Sequence, residues 1–478
     1  MIRRFLILLF SGLLAGVGAG ATPPVTVPAQ PNFIVIYTDD MRADGLGFLG
    51  GHVQTPHLDR LARRSVYFPQ AFVVSALCSP SRAQLLTGRY SSQNGVAELP
   101  AEKPGDTAPR KTRFNADEPL LPALLGAGGY LTGTIGKWHI DNKPDSCGFE
   151  YARYVYGNGD YYDQTFIDEK GRAHPTRGHV EVANAAFGHE FLGRARAENR
   201  PFFLFYNTRA PHMDSRYEWP SASATRERHP PASFPLPATL EGSLAGKPGY
   251  LEQSRSRTQA LHYGYRDPDR VRQHESEYYS TIAELDTAIA PLLDELEAGG
   301  LLANTYIILM GDNGWFIGEH LFTSKVLAYE DSIRVPLLVS GPGIEPGVSP
   351  QLALNIDIAP TLMEWAGLQV PAKMYGRSLA GAARNPSTAG RDAFLYEMAP
   401  ASDTARNPFI RALRTDRAKL IRTYQMGSET QVDFVELYDL QSDPAEKHNL
   451  ATDPAHAALL QALNRRLDRE IEDVARRR

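Results

Sequence analysis

Short apolar runs recur along the chain, in NFIVIYTDD, YLTGTIGKWH, PFFLFYNTRAPH, TYIILMGDNG and VPLLVSGPG, each bounded by Gly, Pro or polar residues. A run that stays apolar instead of alternating belongs to a strand covered on both faces, which is the habit of parallel sheets. Helical patterns separate the runs. In TPHLDRLARRSV, Thr55 is placed to cap and Pro56 to take the first helical position, with Leu58, Leu61 and Ala62 on one face. SEYYSTIAELDTAIAPLLDELEAGG reads as a long amphipathic helix stopped by Gly299 and Gly300. The alternation predicts an α/β sandwich around a mostly parallel sheet.

At 478 residues the chain exceeds the roughly 250 to 300 at which a single core stops growing, so two units of unequal size are expected. After about Gly390 the texture changes to DAFLYE, FIRALRTD, AKLIRTY and VELYDL, followed by a charged helix from about Pro454. Closely spaced strands with tight turns predict a small antiparallel sheet plus helix over 391–478, behind a main unit over 22–390. Residues 214–270, rich in Pro, Ser, Arg and aromatics, are too long for an ordinary connector. The Trp and Tyr content of this segment predicts an ordered lid or insertion, with disorder as the alternative.

The stretch MIRRFLILLFSGLLAGVGAGATPP combines Arg3 and Arg4, an apolar run from Phe5 to Val17 and the small-residue site Ala19-Gly20-Ala21. That is the pattern of a cleavable signal peptide over 1–21. The run falls short of the roughly 20 residues that cross a bilayer, so a retained anchor is only the alternative and no stable membrane span is expected. Export to the periplasm or the medium follows. A net charge of -5 offers no basic field, which argues against a nucleic-acid partner. In an oxidising compartment the two cysteines, Cys78 and Cys147, suggest one disulfide by arithmetic.

Chemistry gathers at the strand ends, where ligands bind in open α/β sheets. The run Phe33 to Ile36 leads into Asp39 and Asp40, and the run Tyr306 to Met310 into Asp312 and Asn313. Each pair alone is more often a helix cap or turn. Three carboxylates and an amide oxygen at one rim would repel one another unless a cation lay between them, and all-oxygen ligation suits Ca²⁺ or Mg²⁺. In LCSPSRAQLLTGRY, Cys78 lies at a predicted helix N-terminus, where free N–H groups favour an anion. A thiol there also has a lowered pKa, so a cysteine nucleophile with a histidine base is an open alternative.

The spacing Cys78-x-Pro80-x-Arg82, followed by AQLLTGRY, resembles the signature of the type I sulfatases, in which a maturation enzyme oxidises the cysteine to formylglycine. NFIVIYTDDMRADGLGFLGGHVQTPHLDRLA, GYLTGTIGKWHI, FFLFYNTRAPH, GDNGWFIGEH, YEDSIRVPLLVSGPG, NIDIAPTLMEWAG and ELYDLQSDPAEKHNLA are similar to blocks of that family, in the family's order. The resemblance implies an alkaline-phosphatase-like sandwich that hydrolyses an organic sulfate ester. It implies a formylglycine diol at residue 78, one hydroxyl attacking sulfur and the other later expelling sulfate. Cys147 is then left unpaired.

By the same resemblance Asp39, Asp40, Asp312 and Asn313, with an oxygen of modified Cys78, hold Ca²⁺, with Mg²⁺ as the alternative. Arg82 orients the diol, Lys137 clamps sulfate, His139 accepts a proton from the diol and His212 in RAPHMD protonates the leaving alcohol. His212 alone would read as a packed or capping histidine. Lys325 is the second expected clamp, but the family often has glycine after the histidine of GEH and this chain has Leu321, which leaves the loop path to Lys325 open. His320 is a weaker candidate. A phosphodiesterase or phosphonate monoester hydrolase with the same site, and an inactive exported binding protein with unmodified Cys78, remain alternatives; a sulfate monoester's single charge suits one cation better than a phosphate monoester's nearly double charge. The segment YVYGNGDYYDQTFIDEKGRAHPTRGH places tyrosines, Asn158, Asp160 and Asp163 where they suit a sugar, although a plain surface hairpin has the same composition.

Overall fold

The computed structural model describes residues 30–100, 110–399 and 407–477; the signal-peptide stretch lies outside the described residues. The apolar runs become the middle of a 10-stranded sheet, in the spatial order Leu337–Ser340, Thr305–Gly311, Asn32–Thr38, Phe202–Asn207, Leu131–Trp138, Tyr151–Tyr156. The last five of these run parallel to one another. Leu337–Ser340, expected as a further parallel strand, pairs antiparallel with Thr305–Gly311. A parallel return needs a crossover, usually helical, and between the two strands the chain holds only a short hairpin and the one-turn helix Glu330–Ile333. The strand therefore comes back the way it left.

Side chains of Asn32–Thr38 alternate between two apolar layers. Phe33, Val35 and Tyr37 enter one cluster with Leu85, Leu86, Phe203, Phe205 and Leu362. Ile34 and Ile36 enter the other with Phe191, Leu204, Ile282, Leu285, Ile289 and Leu292. The second layer is supplied largely by two helices, Val180–Glu198 and Pro268–Ala298. The latter starts ahead of its apolar pattern, because Asp267 accepts from Asp269 N and Pro268 takes the first turn. Coverage of both faces is why the strands are apolar throughout.

Ala393–Met398, Ile410–Thr415, Ala418–Tyr424 and Val432–Asp439 form a four-stranded antiparallel sheet, followed by the helix Ala457–Arg476. Leu395, Leu413 and Leu420 of this sheet join the same apolar cluster as Phe33 and Val35. The segment 214–270 holds the helices Ser223–Arg228 and Arg255–His262 and buries Trp219, Phe234 and Tyr265. Cys78 and Cys147 are both free thiols. Among the described residues no helix is long and apolar enough to cross a membrane.

Candidate active site

Register brings the reactive residues to one rim. Tyr37 stands opposite Asn207, Thr38 opposite Gly311, and Asn207 opposite Gly136, so the residues after each strand emerge side by side. Asp312 N donates to Thr38 O at 2.8 Å, which closes the sheet at the point where the carboxylates begin. Gly136 has a φ of +87°, and a Cβ there would meet Asn207 O at 1.8 Å. Only glycine permits the close approach that turns Lys137 toward the site. Cys78 opens the helix Cys78–Thr87, whose residues are all buried, two positions ahead of Pro80.

The thiol of Cys78 lies among charges. Its Sγ is 2.8 Å from Lys325 Nζ and 3.5 Å from both Lys137 Nζ and Asp39 Oδ1. Lys137 Nζ donates to Asp39 Oδ2 at 2.6 Å, and Lys325 Nζ donates to Asp40 Oδ1. Arg82 reaches three partners at once. Its guanidinium donates to Asn207 Oδ1 at 2.6 Å and to Asp312 Oδ2 at 2.7 Å, and lies 3.6 Å from Asp39 Oδ1. Asp40 N donates to Asp312 Oδ1 at 2.9 Å and Asn313 Nδ2 to Asp40 Oδ1 at 2.6 Å.

Burial and charge set the protonation of this cluster. Burial pushes the Cys78 thiol up to about 12, further than the two lysines pull it down, which favours the protonated thiol over a thiolate. Burial works against the charge of Asp39, but Lys137, Arg82 and Lys325 outweigh it and hold its carboxyl well below the usual range. Asp312 moves the other way, up to about 7, through burial and then the charge of Asp39. The upward shift of Asp312 is the mark of like charges sharing one buried site.

The donor set fits a hard divalent cation. Asp40 Oδ2 and Asn313 Oδ1 are buried oxygens with no hydrogen-bond partner. Asp39, Asp40, Cys78 and His212 bring potential ligand atoms within 4.8 Å of one another. Oxygen-rich surroundings and unused acceptor lone pairs suit Ca²⁺ or Mg²⁺, and a buried acceptor without a donor is costly unless something positive faces it.

His212 Nε2 lies 3.6 Å from Asp40 Oδ2, and its ring is 6.1 Å from that of Trp315. His139 is buried with its Nδ1 unpartnered. Burial, reinforced by Lys137, lowers both imidazoles well below the ordinary histidine value, although Asp39 opposes the shift. His320 instead packs its ring on Tyr329 at 5.2 Å, and burial pushes it down to about 2.

Three contributors escaped sequence reasoning. Asn207 anchors Arg82, Trp315 puts its ring 5.4 Å from Lys325 Nζ, and Arg209 lies 2.8 Å from His212 Nδ1 and 3.9 Å from Asp39 Oδ2. Asn207 could have been found from its place at a strand exit. Arg209 sits in RAPH beside His212 but is common enough elsewhere to carry no signal. The segment after Tyr151 forms the strand pair Thr165–Asp168 and Ala173–Pro175, and Asn158 and Asp160 flank a small recess shared with Lys137, Asn184 and Arg209.

A family model described as Sulfatase matches residues 31–368, and one described as N-sulphoglucosamine sulphohydrolase, C-terminal, matches residues 318–473. The chain is 29% identical over 495 residues to the N-acetylglucosamine-6-O-sulfatase of Bacteroides thetaiotaomicron, covering 90% of this chain and 84% of the relative. It is 29% identical over 491 residues to the N-acetylglucosamine-6-sulfatase of Homo sapiens, covering 93% and 84%. The solved structure of BT4656 in complex with its substrate D-glucosamine-2-N,6-O-disulfate matches with a TM-score of 0.82 and 27% identity, over 93% of this chain and 98% of that chain.

Proposed function

The chain belongs to the sulfatase family and is a sulfuric ester hydrolase, and from that premise we propose that it removes sulfate from a sulfated carbohydrate, most directly a glucosamine bearing a 6-O-sulfate. The names of the relatives support the sugar. The observation that carries the reaction is the position of the Cys78 side chain between two ammonium groups and a carboxylate. Oxidised to formylglycine by a maturation enzyme, this residue supplies a hydrated aldehyde, one hydroxyl to attack sulfur and a second to expel sulfate as the aldehyde reforms. A divalent cation, calcium with magnesium as the alternative, would be held by Asp39, Asp40, Asp312, Asn313 and an oxygen of modified residue 78, and would supply positive charge that draws electron density from the ester.

The chain's own groups do the rest. Lys137 and Lys325 hold the sulfate oxygens against residue 78, and Arg82 fixes the diol. Burial and the charge of Lys137 lower His139 well below the ordinary histidine value, which favours the unprotonated form that accepts a proton from a diol hydroxyl. Burial likewise lowers His212; the negative charge of an arriving ester favours a proton on it, which it then gives to the leaving oxygen. Export through residues 1–21 belongs to the same reading, since it would bring the enzyme to polymeric glycans outside the cell.

The test is sulfate release from glucosamine-6-sulfate, from other sugar sulfates and from nitrophenyl sulfate, alongside a phosphonate monoester and a phosphodiester. Turnover of the 6-sulfated sugar well above the phosphorus esters is the expected result. A preference for either phosphorus ester contradicts the assignment.

A further inference from the structure

Lys325 is the clamp that the sequence constrains least, because Leu321 stands where glycine is frequent in the family. The strand Phe316–Ile317 pairs antiparallel with Thr323–Ser324. In the turn between them Phe322 N donates to Glu319 O at 2.8 Å, and the two central residues, His320 and Leu321, have φ of +53° and +56°. Two consecutive left-handed residues are the mark of a type I′ turn, which favours Asn-Gly. Beyond it Ser324 has a φ of +68° and Val326 one of +75°; for a β-branched residue this is an outlier. Lys325 thus sits inside a backbone that its own residues disfavour, and such strain persists only where the surroundings impose it.

The surroundings that impose it come mostly from the 214–270 segment. Thr239 Oγ1 accepts from His320 N at 2.9 Å and Arg257 Nη1 donates to His320 O at 3.0 Å. Ser256 Oγ donates to Lys325 O at 3.4 Å. Gly242 leaves the space for Leu321, since a Cβ on it would lie 2.3 Å from Leu321 Cβ and 2.5 Å from Arg257 Nη1. From the opposite side Tyr396 OH, on the C-terminal sheet, donates to Val326 O at 2.8 Å. Both termini of the peptide unit at His320 are therefore held by residues far from the strand-end motifs.

We propose that Arg257 and Thr239 are positioning residues for Lys325, so that the 214–270 segment sets the ammonium against residue 78 by holding a left-handed turn. The proposal rests on the reading of Lys325 as a sulfate clamp. It predicts that the segment acts on the reaction through one side chain and not only by covering the site.

A double-mutant cycle decides it. Arg257→Met, Thr239→Val and Lys325→Ala, singly and with Lys325→Ala paired to each of the others, are compared in kcat/KM and in inhibition by inorganic sulfate, with formylglycine content measured in every preparation. Arg257→Met and Thr239→Val should each lower kcat/KM by about 5- to 50-fold and weaken sulfate inhibition in the parent, but by less than about twofold once Lys325 is gone. Arg257→Lys, which keeps a donor, should recover most of the loss. Losses that multiply in the paired variants overturn the proposal. Parental activity in Lys325→Ala overturns the clamp reading itself, a failure seen before any pair is made. Should Arg257→Met not fold, the near-isosteric Thr239→Val decides alone.

Discussion

Replacing Arg82 by methionine tests the electrostatic account most severely, because it keeps the length of the side chain and removes only its charge and donors. Arg82 is 1% exposed. It lies 2.7 Å from Asp312 Oδ2 and 3.6 Å from Asp39 Oδ1. At an effective dielectric of about 20, those separations correspond to about 6 and about 5 kcal/mol of attraction. Much of that is offset in the native protein by desolvation of the guanidinium, and breaking a buried pair by deleting one partner typically costs about 3 to 5 kcal/mol because the other charge is stranded. The expected loss of stability is therefore about 3 to 5 kcal/mol in chelator. It should shrink in excess calcium, where a bound cation faces the same carboxylates. Urea denaturation followed by tryptophan fluorescence, in EDTA and in calcium, measures both values. Arg82→Met within about 1 kcal/mol of the parent in EDTA would refute the claim that this guanidinium neutralises the buried carboxylates.

Loss of His212 should slow hydrolysis of a sugar sulfate by about 10²- to 10⁴-fold and of nitrophenyl sulfate far less, whereas loss of His139 should slow both; equal losses on the two substrates for His212→Ala remove it from the acid role. Asp39→Ala and Asp312→Ala should each abolish stoichiometric calcium and most of kcat. Elemental analysis of the purified, active parent that finds no divalent ion, or finds stoichiometric zinc, contradicts the oxygen-ligand assignment.

The sheet was legible because strands buried on both faces are written as unbroken apolar runs, and the rim was legible because Asp39, Asp40, Asp312 and Asn313 follow such runs directly. Strand direction was not. Nothing in PLLVS distinguishes a parallel from an antiparallel neighbour, and the reversal follows from what the preceding connection lacks. Arg209 reaches the rim only through the turn that brings His212 back, which no local pattern encodes, whereas the place of Asn207 at a strand exit was a signal left unread. The left-handed turn at His320 and Leu321 was hidden for a sharper reason. Neither residue is a turn former, so the conformation is dictated by Thr239 and Arg257, more than fifty positions away.

The proposed reaction turns on the chemical state of one side chain. A mass spectrum of the tryptic peptide that contains residue 78, taken from the chain produced with and without a maturation enzyme and paired with sulfate-release rates on the same samples, tests that directly. The account predicts an aldehyde in place of the thiol only in the first sample, turnover in proportion to its fraction, and no turnover from Cys78→Ala. Sustained turnover from a sample whose residue 78 is entirely thiol, or from Cys78→Ala, would contradict it.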